Sequence, residues 1–275
     1  MIYNKIKIIL FILLCICVSP VVSQPELNRV EPPFWWAGMQ DTSLQILLYG
    51  SNLSELDAKT DDPGVVISRR EATGNPNYLF LYIGLGRELK PGLCRISLQK
   101  DGTEVLFFQY EFRARKPESS IRQGFGWADN IYLIMPDRFA NGNPGNDSHP
   151  QMLEKVNRSN PDGRHGGDFA GIRRHLAYIQ SLGMTALWLN PFLENNQPAY
   201  SYHGYAITDL YTTDPRIGSN EEFVALVKDA RSNGMKIIMD MVFNHLGDNH
   251  WMMKDLPSDE WVHQWPAIER ILVCQ

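Results

Sequence analysis

Cysteine is scarce in this chain, four among 275 residues. Two of the four, Cys15 and Cys17, fall in an apolar N-terminal stretch. Cys94 and Cys274 are left far apart, enough for one bridge but not for a disulfide framework. Cys94 reads as a small buried hydrophobe. An excess of basic charge is also missing: the formal net charge is −5, which argues against a nucleic-acid partner. No G-x-G-x-x-G follows the first strand of the second half, so a dinucleotide site is not expected. Internal repeats and low-complexity tracts are absent. The apolar run Ile8–Val18 is shorter than the roughly 20 residues that a bilayer needs.

That run has the form of a secretory signal. Lys5 and Lys7 supply its positive end, and Val21-Val22-Ser23 places small residues before a cleavage point at Gln24. An N-terminal membrane anchor is the competing reading. A lipoprotein ranks lower, because Leu14 and Ile16, not small residues, precede Cys15 and Cys17. The expectation is an exported protein, periplasmic or extracellular, with residues 1–23 removed. Three N-x-S sites, at Asn52, Asn146 and Asn157, matter only in a glycosylating host.

Residues 24–115 hold short runs of strand character: Leu44–Tyr49, Val65–Arg70, Tyr78–Ile83, Leu93–Gln99 and Val105–Phe112. Asp101-Gly102 favours the positive φ of a tight hairpin between the last two. This spacing without a helical period predicts an immunoglobulin-like β-sandwich. Residues 116–126 form a polar linker.

Residues 127–275 change pattern. Ile131–Pro136 and Lys236–Phe243 read as buried strands, with Thr185–Asn190 between them. Ala170–Leu182 has Ile172, Leu176, Ile179 and Leu182 on one helical face, and Gly183 ends it. A second helix starts at Ser219 with Glu222 three residues on, a capping box, and stops at Asn233-Gly234. Alternating strands and helices imply a parallel sheet with right-handed crossovers. Long loops after the first two strands favour a (β/α)8 barrel over an open sheet.

Four polar clusters follow these strands. Asn141, Asn143, Asn146 and Asp147 share a Gly- and Pro-rich loop. Such oxygens suit Ca²⁺, although the same residues also make ordinary turns, and no Glu falls at the EF-hand position. Gly166 and Asp168 belong to H-G-G-D, where Asp168 could equally be a helix N-terminal acid. His203 and Tyr205 lie in Y-H-G-Y, able to stack on and hydrogen-bond a sugar, or to be satisfied loop residues. Asp240 and His245 sit in D-M-V-F-N-H. An acid at the end of a buried strand needs a fixed donor or cationic partner, and a backbone-satisfied structural carboxylate is the plainer alternative.

D-M-V-F-N-H at 240–245, Y-H-G-Y at 202–205, M-P-D-R-F-A-N-G-N-P-G-N-D at 135–147, H-G-G-D at 165–168 and E-P-P-F-W-W-A-G-M at 31–39 together resemble the α-amylase family of glycoside hydrolases. The resemblance is to its neopullulanase and cyclomaltodextrinase branch. It implies a multidomain protein, a sandwich followed by a (β/α)8 barrel, of which about three β/α units are present. It implies retaining cleavage of α-1,4-glucosidic bonds in starch, pullulan or cyclodextrin. Tyr205 would stack on the sugar, His203 and His245 would bind its hydroxyls, and Asp240 would form the site floor. Asn141, Asn143, Asn146, Asp147, the Gly166 carbonyl and Asp168 would hold a structural Ca²⁺, with Asn143 standing where an Asp is usual. It also implies α-glucan as partner and a homodimer through the N-terminal domain.

In that family the nucleophile, the acid/base and a third acid follow strands 4, 5 and 7, so no catalytic residue is assigned here. A full barrel takes roughly 250 residues, and the tail after Trp265 carries no family motif. The expectation is a truncated product, as a frameshift near Trp265 would give, without turnover. The alternatives are a non-catalytic secreted glucan-binding protein and a calcium-stabilised scaffold.

Overall fold

The computed structural model describes residues 24–264. The expected signal at 1–23, the tail from Trp265 and Cys274 lie outside those residues. The chain divides into two compact units. Among the described residues, one holds 24–119 together with 257–264, and the other spans Ser120–Leu256.

The first unit is a two-sheet sandwich of eight strands: β1 (Glu26–Glu31), β2 (Phe34–Trp36), β3 (Ser43–Ser51), β4 (Asp57–Thr60), β5 (Val65–Ala72), β6 (Tyr78–Leu85), β7 (Gly92–Lys100) and β8 (Thr103–Arg113). The sheet orders are β1-β3-β6-β5 and β2-β8-β7-β4. Alternate residues of the two inner faces, among them Ile46, Leu48, Leu79, Leu81, Ile96, Leu98, Tyr110 and Phe112, make one core. The hairpin of β7 and β8 turns at Asp101 (φ 51°) and Gly102 (φ 78°), as a type I′ turn requires. Cys94 is buried, with no disulfide among the described residues, and its thiol lies 3.3 Å from the Thr60 hydroxyl. From the far end of the chain, Trp261 stacks on Phe80 with ring centroids 5.9 Å apart.

The second unit contains a parallel sheet of β9 (Ile131–Ile134), β10 (Ala186–Leu189) and β11 (Lys236–Met239), ordered β11-β10-β9. The helices are α1 (Pro136–Phe139), α2 (Phe169–Arg174), α3 (Leu176–Ser181), α4 (Asn220–Ser232) and α5 (Trp251–Lys254). Tyr132, Ile134, Leu187, Leu189, Ile237 and Met239 pack against Phe169, Ile172, Leu176 and Ile179 from one crossover, and against Phe223, Leu226 and Ala230 from the next. Both crossovers therefore cover the same face. Consecutive strands joined with one hand must do this, and it is the arrangement of a barrel wall, not of a doubly wound sheet. The chain carries the first three β/α units of such a barrel.

Several sequence expectations need correction. The first and third strands, read as buried, are buried on one face only, and the sheet's other face is open, with Leu133 59% and Trp188 41% exposed. The third strand ends at Met239 rather than Phe243, and Phe243 is 89% exposed. The first ends at Ile134, where Pro136 opens a helical turn. The helix expected over 170–182 breaks at His175 (φ −107°, ψ 8°). There the imidazole Nδ1 lies 2.8 Å from the Gly171 carbonyl, the acceptor that a continuous helix would offer to the His175 amide. Leu182, expected on the buried face, is 46% exposed. The capping box on α4 forms as expected, with the Ser219 hydroxyl and the Glu222 carboxylate each accepting from the other's backbone N–H.

At the N-terminal end of the sheet, Asp129 clasps the strand entrances. Its carboxylate accepts from Thr185 Oγ1 at 2.9 Å, Lys236 Nζ at 2.8 Å and the Gly126 amide at 2.7 Å. These bonds, the one from Lys236 foremost, hold its pKa down to about 2.

Candidate functional site

Everything that carries chemistry sits at the opposite, C-terminal end of the strands. Asp137, just past β9, is 1% exposed. Its Oδ2 accepts from the His165 amide at 2.9 Å and its Oδ1 from the Gly166 amide at 3.1 Å, while Arg138 forms an ion pair with it. One carboxylate thus pins the 165–168 segment beside the loop that follows β9. Asp168 does the same from the other side. Its Oδ1 accepts from the Gly142 and Gly171 amides at 3.0 and 2.6 Å, and its Oδ2 from the Asn143 amide at 2.7 Å. The helix-capping role of Asp168 is real, and the same side chain also organises the Asn-rich loop.

Within that loop, Asn141 Nδ2 donates to Asp147 Oδ1 at 2.6 Å, and Arg158 donates to Asp147 Oδ2 at 2.6 Å. Gly166 has φ +85°, and a Cβ there would stand 2.5 Å from Asp147 Oδ1, so only glycine fits. Asn141 Oδ1 and Asn146 Oδ1 are buried and have no hydrogen-bond partner among the described residues. Two orphan amide oxygens on a loop that also carries Asp147 are donors of the kind that suits a hard cation. Of the six residues singled out as metal ligands, Asn141, Asp147 and Gly166 meet directly and Asp168 holds the Asn143 amide. Asn143 Oδ1 accepts from the Gly145 amide at 3.1 Å, and Asn146 joins through its amide to the Asn143 carbonyl.

The four residues singled out for sugar binding converge on Tyr205. The turn Ser201–His203 is entered through Tyr200 (φ 59°) and left through Gly204 (φ 84°). A Cβ on Gly204 would lie 1.8 Å from the Pro191 carbonyl oxygen. The Tyr205 hydroxyl donates to Asp240 Oδ2 at 2.8 Å, and burial, then Asp240, raises its pKa so that it stays a donor. The Tyr205 amide donates to His203 Nδ1 at 3.0 Å, and its carbonyl accepts from His245 Nε2 at 2.7 Å. Asp240 is half-buried, one residue past β11, and its amide donates to the Leu189 carbonyl at 3.2 Å. The donor partner expected for this acid is the Tyr205 hydroxyl. Burial lowers the pKa of His203, against an opposing pull from Glu154. Arg138 lies over the Tyr202 ring at 3.9 Å, joining the two loops.

Sequence reasoning missed the charged cluster beneath these loops. Arg164 and Arg216 are both 0% exposed, and Asp214 is 1% exposed. Arg216 grips Asp214 with Nε and Nη2 at 2.9 and 2.6 Å and reaches the Glu154 and Asn195 carbonyls at 2.8 Å each. Burial raises the Asp214 pKa, but the Arg216 hydrogen bonds and the Arg164 and Arg216 charges outweigh it and hold the group ionised. The legible signal was local: Asp214-Pro215-Arg216 makes an Asx-type turn, with the Arg216 amide donating to Asp214 Oδ1 at 3.0 Å.

Residues 133–265 match the model of the alpha amylase catalytic domain, and residues 29–116 that of the cyclomaltodextrinase N-terminal domain. The chain is 34% identical over 189 residues to neopullulanase 2 of Thermoactinomyces vulgaris, covering 67% of this chain and 31% of that one. It is 30% identical over 218 residues to the cyclomaltodextrinase of Thermoanaerobacter pseudethanolicus, covering 69% and 37%. It is 32% identical over 148 residues to the periplasmic alpha-amylase of Escherichia coli, covering 48% and 21%. The chain spans well under half the length of these curated relatives. Among the described residues no helix is long and apolar enough to cross a membrane. A cyclomaltodextrinase-type sandwich followed by the opening β/α units of an amylase barrel, with the loop motifs converged at the strand ends, places the chain in the α-amylase family of glycoside hydrolases, in its neopullulanase and cyclomaltodextrinase branch.

Proposed function

We propose that these residues form the sugar-positioning part of an exported, retaining α-glucan hydrolase, and that the 275-residue chain by itself binds α-glucan without cleaving it. The observation that carries this reading is the convergence on Tyr205. An aromatic ring, partly exposed, is fixed at its hydroxyl by Asp240, at its amide by His203 and at its carbonyl by His245. A ring so held offers a flat stacking surface at little entropic cost. With Nδ1 accepting from the Tyr205 amide, the Nε2–H of His203 is the donor that would hydrogen-bond a sugar hydroxyl.

Retaining hydrolysis needs a carboxylate nucleophile and a carboxylic acid about 5–5.5 Å apart. In the family these follow strands 4 and 5, and the described residues contain strands one to three. Asp240 is committed to Tyr205. What the residues present do is bind and orient the ring, not supply or accept the proton at the glycosidic oxygen.

Asn141, Asn143, Asn146, Asp147, the Gly166 carbonyl and Asp168 would hold Ca²⁺, whose charge would tie the loop together. The orphan Asn141 and Asn146 oxygens support this assignment. Asp147 already has Arg158 as counter-charge, so the metal would share that carboxylate with a cation.

Calorimetry with maltoheptaose and reducing-sugar release from soluble starch or pullulan test the reading. Binding with no release is the expected pair of results. Measurable turnover would overturn the inactivity of the chain, and absence of binding would overturn the glucan reading. A homodimer through the sandwich predicts twice the monomer mass in sedimentation equilibrium.

A further inference from the structure

Arg164 is a buried cation that the binding site as described does not use. It lies on the segment leading into H-G-G-D and is 0% exposed. Its Nη1 donates to both the carbonyl and the hydroxyl oxygen of Ser201, at 3.2 Å each. Its Nε stands 3.6 Å from Asp137 Oδ1, and Nη1 stands 4.0 Å from Asp214 Oδ2. Ser201 is 1% exposed, and its amide donates to Glu154 Oε2 at 2.8 Å. Every polar group of Ser201 is therefore held from beneath, while Tyr202, His203 and Tyr205 follow it directly. The turn itself is strained at its entry, with Tyr200 in the left-handed region at φ 59°, a conformation that persists only where the surroundings over-determine it.

A buried arginine with incomplete hydrogen bonding is costly. Nε and Nη2 have no hydrogen-bond partner among the described residues. A well-packed apolar residue is often as stable or more so in such a place. A guanidinium does what an apolar side chain cannot. Its planar fork faces Asp137, Asp214 and Ser201 at once, and Asp137 in turn holds the His165 and Gly166 amides. We infer that Arg164 is a positioning residue: its buried guanidinium fixes the Ser201 turn against the loop after β9 and so sets where Tyr202, His203 and Tyr205 stand. The inference rests on the glucan-binding reading for its consequence, but the positioning itself can be measured without sugar.

Hydrogen exchange in the full chain, compared between the parent, Arg164→Met and Arg164→Lys, tests it. In Arg164→Met the amides of residues 202–205 should exchange faster, with α4 unchanged. Maltoheptaose affinity should fall about tenfold if the turn is competent in only about a tenth of molecules. Arg164→Lys, which can still donate to Ser201, should recover part of both. If Arg164→Met folds and leaves exchange at 202–205 unchanged, the inference is wrong. Should neither Arg164 variant fold, Ser201→Ala decides: it removes one acceptor and leaves the charges, and unchanged exchange at 202–205 overturns the inference. A parent chain that does not bind maltoheptaose overturns the functional reading instead, and the exchange result still decides the role of Arg164.

Discussion

His203 accepts the Tyr205 amide hydrogen at Nδ1, which requires a neutral ring with its proton on Nε2. Burial lowers its pKa from the ordinary value, with Glu154 opposing. The folded state therefore binds this proton less readily than the unfolded chain. Its effect is nil at high pH, where both states are neutral, and becomes destabilising as pH falls below about 6.5, the unfolded value. Protonation would also remove the acceptor that orders Tyr205. Maltoheptaose affinity should be flat above pH 7 and weaken as pH falls towards 5, and His203→Gln should flatten that dependence. A pH-independent parent would contradict this assignment. Tyr205→Phe keeps the ring and deletes the bond to Asp240. Affinity should drop about fivefold to tenfold, on the order of 1 kcal/mol for one hydrogen bond, and calorimetry at pH 7 reads it directly. These residues were legible because each cluster is contiguous in sequence and follows a strand. Arg164 was not, because its partners Asp137, Ser201 and Asp214 lie 27, 37 and 50 positions away and no local pattern announces it; Asp214 offered only its short turn with Arg216.

Among elements, α4 was legible to its ends because its stop signals are chemical: a reciprocal cap at Ser219 and Glu222, then Gly234 at φ 72°. The α2–α3 break was not, because an apolar period of 3.6 is unaffected when one imidazole captures one carbonyl. Short edge strands such as β2 and β4 escaped for a related reason, since three or four residues cannot establish an alternation. The clasp at Asp129 also lay hidden, as its partners Thr185 and Lys236 open different strands. It makes an element-scale prediction. With a pKa near 2 in the folded state and about 3.9 unfolded, the Asp129 carboxylate stabilises the sheet above pH 4. That contribution fades as pH falls towards 2. Asp129→Asn should therefore lower the urea midpoint at pH 7 and close much of the gap to the parent by pH 3. An equal gap at both pH values would place the stabilisation elsewhere.

At the scale of the whole molecule, the three-stranded wall has one dry face and one wet one. Strand periodicity sends Tyr132, Ile134, Leu187 and Leu189 to the helices and Leu133, Trp188 and Ile238, paired across the sheet, to the other side. In a closed barrel that side is the packed interior. Here Leu133 is 59%, Trp188 41% and Phe243 89% exposed. The sequence reading of Ile131–Pro136 and Lys236–Phe243 as buried strands thus holds for the helix-packed face, and the exposed face is what three strands of a barrel wall leave bare. Contiguous apolar surface of this kind drives association, and full burial of one such side chain is worth about 1.5–3 kcal/mol. The chain should self-associate with rising concentration, and Leu133→Lys should weaken that association about tenfold or more, since roughly 1.4 kcal/mol is a factor of ten. Leu133 does not contribute to the helix-packed core, so the variant should unfold at nearly the parent's urea midpoint. Sedimentation velocity over a hundredfold concentration range separates the outcomes. Association unchanged by Leu133→Lys would assign it to another surface, the sandwich first among them, and would mean that this face stays wet without consequence.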